Sequence, residues 1–183
     1  MQSKRRVWFT GILLLGLVWI GVSADKSGAS TNGLIPAPQK GFLAPDFTLE
    51  TLDGKTVTLS DLRGQAVIVN LWASWCGPCR LEMPAFKKVH EEYKEQGLVI
   101  LAVNSTSQDT PPAVEKFVAE YQLPFTILMD YKGTVARLYR VSALPTTFFI
   151  GRDGVITKVV IGGPLAESTL RAEIEALLAG ERP

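Results

Sequence analysis

Residues 66–86, AVIVNLWASWCGPCRLEMPAF, decide how this chain is read. The run AVIVNLWA is continuously apolar apart from Asn70, as in a strand buried on both faces. The next stretch carries Phe86, Val89 and Tyr93 at helical spacing. The strand is expected to end near Ala73 and the helix to begin near Cys76. A helix N-terminus presents unpaired N–H groups and the positive end of the dipole, both of which favour an anion. A thiolate at Cys76 is such an anion, so its pKa is expected below the free value of about 8.5. Pro78 is tolerated in the first turn, where its missing N–H has no partner to lose. Two intervening residues let the Cys79 sulfur reach the first one as the chain turns. The expected device is an attacking thiol, Cys76, and a resolving thiol, Cys79.

These are the only cysteines among 183 residues. Two cysteines cannot build a multi-bridge scaffold. Structural zinc sites take four Cys or His ligands, and the chain has one histidine, His90. Position 80 is Arg, which excludes the C-x-x-C-H attachment of a c-type haem. No metal and no cofactor is expected. The formal net charge of +1, from 19 basic and 18 acidic residues, gives no sign of a nucleic-acid partner. A redox pair or two incidental thiols remain.

The N-terminus bears on which. Lys4, Arg5 and Arg6 precede a mostly apolar run over residues 7–22. Two readings stand. The run is a retained membrane anchor, with Trp8 and Trp19 as interfacial residues, or a signal sequence cleaved near Ala24. Either exports the remainder of the chain, since the positive cluster stays in the cytoplasm. An oxidising compartment favours closure of the cysteine pair. Segment 1–24 is therefore expected to be the signal or anchor. Residues 25–40, rich in Gly, Ser, Ala and Pro, read as a flexible linker, and 41–180 as one folded domain.

Within that domain, two short alternating runs flank Asp53-Gly54, a hairpin signal. LVILAVN reads as a second buried strand. Pro111 and Pro112 open a helix bearing Val114, Phe117, Val118 and Tyr121. FTILMD is a short strand, and a helical turn carries Val135, Leu138 and Tyr139. TTFFIGRDGVITKVVI reads as a hairpin about Asp153-Gly154, and a closing helix carries Leu170, Ile174, Leu177 and Leu178. This order predicts an α/β fold with a mixed sheet. Phe148 and Phe149 are expected in the core. His90 and the pairs Lys87–Glu91 and Lys88–Glu92 are expected on a solvated helix face.

WASWCGPC is similar to the active-site signature of the thioredoxin superfamily, and LPTTFFI resembles its cis-proline loop. The early hairpin, VNLWASWCGPCRLEMP and the N-terminal segment resemble, more narrowly, the membrane-tethered TlpA/ResA-like branch. The resemblance spans residues 41–178. It implies a thioredoxin-like fold with an added N-terminal β-hairpin, and thiol–disulfide exchange with disulfides or thiols of exported proteins. It further implies a membrane-embedded thiol carrier as electron donor and a reductive role in cytochrome c maturation. Where thioredoxins carry a buried Asp on the strand before the active site, this chain has Asn70, which cannot titrate. The tethered branch uses a Glu in the active-site helix, and Glu82 occupies that position, three residues after Cys79. By the same resemblance Trp75, Gly77, Pro78, Leu144 and Pro145 form the substrate-docking surface, with a cis Leu144–Pro145 bond. Pro84 is expected to kink the helix.

Two other functions compete. A peroxiredoxin-like peroxidase shares the fold and the hairpin, but its chemistry wants a Thr three residues before one peroxidatic Cys, and that position is Ala73. A non-enzymatic, chaperone-like binding module would use the same docking surface without the thiols.

Overall fold

The computed structural model describes residues 35–180. The expected signal or anchor and residues 25–34 of the expected linker lie outside the described residues. Among those described, no helix is long and apolar enough to cross a membrane.

Seven strands form one sheet: β1 (Thr48–Thr51), β2 (Thr56–Thr58), β3 (Ala66–Trp72), β4 (Leu98–Asn104), β5 (Thr126–Met129), β6 (Thr146–Ile150) and β7 (Ile156–Ile161). Their spatial order is β2-β1-β5-β4-β3-β6-β7. Four helices accompany them: α1 (Gly77–Tyr93), α2 (Pro111–Tyr121), α3 (Thr134–Leu138) and α4 (Glu167–Ala179). β3 pairs parallel with β4 and antiparallel with β6, and β4 pairs parallel with β5. The sheet is mixed, and the chain has the expected thioredoxin-like α/β fold.

Every residue of β3 is buried, Asn70 included, as a run apolar at all its other positions requires of a central strand. Alternation then divides its side chains between two layers. Ile68 and Trp72 join the layer containing Met83, Phe86 and Val89 of α1, Val114 and Phe117 of α2, and Leu170, Ile174 and Leu177 of α4. Val67, Val69 and Leu71 join the opposite layer with Phe47, Leu59, Val135 and Tyr139. Phe148 and Phe149 are both core residues, one in each layer. The β1–β2 hairpin turns at Gly54, whose φ of +77° suits a residue without Cβ. It extends the sheet through antiparallel pairing of β1 with β5.

The last part of the expected linker contributes to this body. Pro36 bridges Leu43, and the Ala37 N–H donates to the Leu43 carbonyl. The helix face expected to be solvated is exposed at Lys88, Glu91 and Glu92, and His90 departs from it. His90 is half-buried, edge-on to Phe125 at 5.8 Å, and burial lowers its pKa. Lys88 pairs with Glu167 of α4 instead of Glu92, and Glu92 pairs with Arg171. Both ion pairs reach across to α4 while Lys88 and Glu92 stay exposed. Helix α1 continues through Pro84, which sacrifices only the N–H that would have bonded to the Arg80 carbonyl.

Candidate active site

Strand β3 ends at Trp72 and α1 begins at Gly77, so the strand-to-helix junction carries the cysteines as expected. Cys76 is the N-cap, with extended φ/ψ of −77° and 110°, and its Sγ accepts the Cys79 N–H at 3.3 Å. The Arg80 N–H bonds the Cys76 carbonyl, closing the first turn across Gly77 and Pro78. The two sulfurs form a disulfide, with the Cα atoms 5.3 Å apart. Cys76 retains 4% of its surface and Cys79 none. Cys76 is therefore the accessible sulfur of the pair, and Cys79 lies closed off behind it.

The junction is held on its outer side by a segment that no sequence motif singles out. Asp109 accepts the Ser74 N–H at 2.6 Å, the Ser74 Oγ–H at 2.7 Å, the Asn104 Nδ2–H at 3.0 Å and the Thr110 N–H at 2.9 Å. Burial raises its pKa, and these bonds outweigh that and hold the carboxyl below the usual range. Trp75, 58% exposed, donates its indole N–H to the Gln108 carbonyl at 2.9 Å. Arg80 ties the other flank: it donates to the Ser74 carbonyl, pairs with Glu120 and lies over the rings of Phe117 and Tyr121. A lone Asp in a loop gives no signal in sequence, because its donors arrive from β4 and from the active-site loop.

On the inner side, Glu82 is fully buried, not an exposed helical residue. Its Oε1 accepts the Asn70 Nδ2–H at 3.0 Å, and its Oε2 accepts the Leu165 N–H at 2.9 Å. Asn70 donates a second bond to Thr147 Oγ1 at 2.9 Å. Burial raises the pKa of Glu82, against a smaller opposing pull from these two donors. Trp72, which flanks the cysteines in sequence, is a core residue.

The Leu144–Pro145 bond is cis and leads directly into β6. Among the described residues, nothing pairs with the Leu144 N–H or C=O, whereas the Pro145 carbonyl accepts the Gly162 N–H at 2.8 Å. A second cis bond, Gly163–Pro164, lies in the same loop as that donor. Trp75 and Leu81 leave exposed apolar surface on the cysteine loop and the first turns of α1. Among the described residues, no group of three or more His, Cys, Asp or Glu side chains could hold a metal ion.

The chain matches the AhpC/TSA family over residues 41–159, from the start of the domain into β7. It is 36% identical over 182 residues to the thiol-disulfide oxidoreductase ResA of Bacillus subtilis, covering 99% of this chain and 98% of that protein. The crystal structure of a putative thiol:disulfide interchange protein DsbE from Chlorobium tepidum superposes with a TM-score of 0.70 at 38% identity. That match covers 76% of this chain and 98% of the other. A secreted disulfide oxidoreductase of Mycobacterium tuberculosis, homologous to DsbE of E. coli, superposes with a TM-score of 0.66 at 26% identity, over 72% and 96% of the two chains. With the family match and these relatives, the cysteine pair at a helix N-terminus on a shared fold makes the chain a member of the AhpC/TSA family and, within it, a ResA-like thiol–disulfide oxidoreductase.

Proposed function

We propose that the chain acts outside the cytoplasm, held by its N-terminal segment, as a reductant of disulfides in exported proteins, those of cytochrome c maturation among them. The observation that carries the thiol roles is the asymmetry of the pair: Cys76 caps the helix and keeps a sliver of surface, and Cys79 is closed off behind it.

In the reduced enzyme the Cys76 thiolate attacks one sulfur of the substrate disulfide. That S–S bond breaks, one substrate sulfur leaves as a thiolate, and the other is joined to Cys76. Cys79 then gives its proton to Glu82 and attacks the Cys76 sulfur. The mixed disulfide breaks, and the second substrate sulfur leaves. The substrate gains two electrons, and the enzyme is left with the Cys76–Cys79 disulfide. A membrane-embedded thiol carrier returns it to the dithiol. Glu82 suits the proton step because burial raises its pKa towards the working pH. The unpaired N–H and C=O of Leu144 offer strand-like bonds to an extended substrate chain. Trp75, Gly77, Pro78 and Pro145 border the same approach. The peroxidase reading gains nothing here, since Ala73 has no hydroxyl to offer a peroxide.

Trapping tests the reading. Cys79→Ser in the full-length chain stalls the reaction at the mixed disulfide, and mass spectrometry of the adducts is expected to recover exported cysteine proteins, apocytochromes included. Adducts confined to cytoplasmic proteins would remove the proposed location. Alkylation across pH is expected to label Cys76 ahead of Cys79, and the reverse order would exchange their roles.

A further inference from the structure

The segment Gly162–Leu165, between β7 and α4, touches both the docking loop and the buried carboxyl. Gly162 donates its N–H to the Pro145 carbonyl at 2.8 Å. Leu165, three residues later, donates its N–H to Glu82 Oε2 at 2.9 Å. Gly163 lies between these two bonds, and no side chain fits there. A Cβ at Gly163 would lie 2.6 Å from Pro145 Cγ and 2.9 Å from Glu82 Oε2, closer than atoms can approach without displacement. The φ of Gly163 is not positive, so the demand for glycine is one of space. Gly162 is the contrast: its φ is +82°, and a Cβ there would meet nothing within 4 Å.

We propose that Gly163 is a positioning residue for thiol exchange. Its bare Cα seats the Pro145 ring and the Glu82 carboxyl against one short segment, so that a substrate chain docked at Leu144–Pro145 changes the proton affinity of Glu82. The proposal rests on the roles proposed for Glu82 and the docking loop in exchange. Its physical basis is the bond from Leu165. A backbone N–H aimed at a carboxylate stabilises the ionised form, so any movement of the segment alters the balance that burial sets. A docked chain that bonds Leu144 pulls on the loop whose next residue is clamped to this segment. Coupling of this kind is reciprocal: docking changes proton binding, and proton binding changes docking.

The groups around Glu82 are few. Asn70 faces it from β3, the Gly163 Cα and the Leu165 N–H from the β7–α4 loop, and Cys79 and Cys76 share its helix. Among the described residues, no Lys, Arg, His, Asp or other Glu forms a hydrogen bond or ion pair with it. A change in its titration therefore reports on the segment and the dithiol.

The test is a direct titration of Glu82 in the full-length chain in detergent micelles. Carboxyl-13C glutamate gives the NMR signal, and Glu82→Gln assigns it. Gly163→Ala forces the carboxyl and the segment apart and weakens the Leu165 bond. The transition is expected to move upward by about one pH unit. A transition that stays in place overturns the proposal. A second measurement holds if that variant does not fold. In Cys79→Ser, Cys76 is capped either with a short peptide carrying one cysteine or with 2-mercaptoethanol. The peptide-capped protein is expected to titrate Glu82 at a different pH from the mercaptoethanol-capped one, and coincident curves overturn the coupling. Both titrations read the coupling without turnover. Should Glu82→Gln exchange disulfides with the wild-type pH profile while these changes occur, the proton role of Glu82 fails and the coupling stands.

Discussion

Two carboxyl groups flank the cysteine loop, and their environments push them in opposite directions. Asp109, on the outer side, accepts four hydrogen bonds and is held ionised. Glu82, on the inner side, accepts two and is fully buried, and its pKa is raised. Burial raises both. Depth of burial and number of donors together decide the sign: Glu82 is fully buried with two donors, Asp109 only half-buried with four, and each N–H or O–H aimed at a carboxylate recovers part of the hydration that burial removes. One site thus holds a fixed charge that shapes the loop and a buried carboxyl that holds its proton more tightly than a free one. Fixed charge suits Asp109, since a stable anion keeps Ser74, and with it the approach to Cys76, in one place. A raised pKa suits the proton step proposed for Glu82.

The largest expected break in this contrast is Glu82→Gln. General acid–base assistance contributes about 10²–10⁴-fold. Loss of the titrating group is expected to slow exchange towards the lower end of that range and to flatten its pH profile, as read by stopped-flow reduction of a model disulfide. Loss of rate with the pH profile intact would instead make Glu82 a packing residue.

The next is Asp109→Asn. The amide matches only some of the four donors and turns its own NH₂ towards the rest. Leaving such a group unmatched costs about 1–3 kcal/mol. Chemical denaturation at neutral pH is expected to show a loss of that size. The gap to wild type should narrow in acid. A group with a lowered folded pKa contributes stability that is complete above its unfolded value of 3.8 and is lost as pH falls through the folded pKa. A gap that is constant down to the acid transition would mean that the charge of Asp109 plays no part.

Glu82 predicts the opposite slope. Its folded pKa exceeds the unfolded value of 4.5, so the folded state binds the proton more tightly. Wild-type stability is expected to fall as pH rises from 4.5 through the folded pKa, at a rate of about 1.4 kcal/mol per pH unit between the two values. Glu82→Gln should remove this slope, and parallel stability curves for the two proteins would show that the carboxyl keeps its ordinary proton affinity.

The smallest effect is expected from Trp75→Phe. It removes the indole N–H bond to Gln108 from a residue that remains mostly exposed. The cost is about 1 kcal/mol or less. Alkylation of Cys76 is expected to change by less than about twofold, whereas Asp109→Asn should change it more. Equal effects would place the control of the loop in the tryptophan.

Part of this contrast was legible in the residues. The apolar run of β3 followed by helical spacing put Cys76 at a helix N-terminus, because burial on two faces and amphipathic periodicity are local patterns. Asp53-Gly54 and Asp153-Gly154 marked their hairpins because backbone turns demand particular residues locally. Position 82 was legible as well, but only through its resemblance to a known branch. The pattern of α1 by itself allowed an exposed glutamate.

The tertiary structure decided what surrounds each group. The donor to Glu82 Oε2 is 83 residues away at Leu165, and the segment carrying it has no hydrophobic period or charge pattern to announce it. Ser74 and Asp109 lie 35 residues apart and meet because parallel pairing of β3 with β4 brings the ends of the two strands together. His90, read as solvated, is half-buried against Phe125, whereas Lys88 stays exposed and pairs with Glu167 of α4 and not with Glu92. The physical reason is the same throughout. Local sequence sets which conformation a segment adopts and which face it offers, whereas a carboxyl's proton affinity depends on desolvation and on donors that arrive only when distant segments pack.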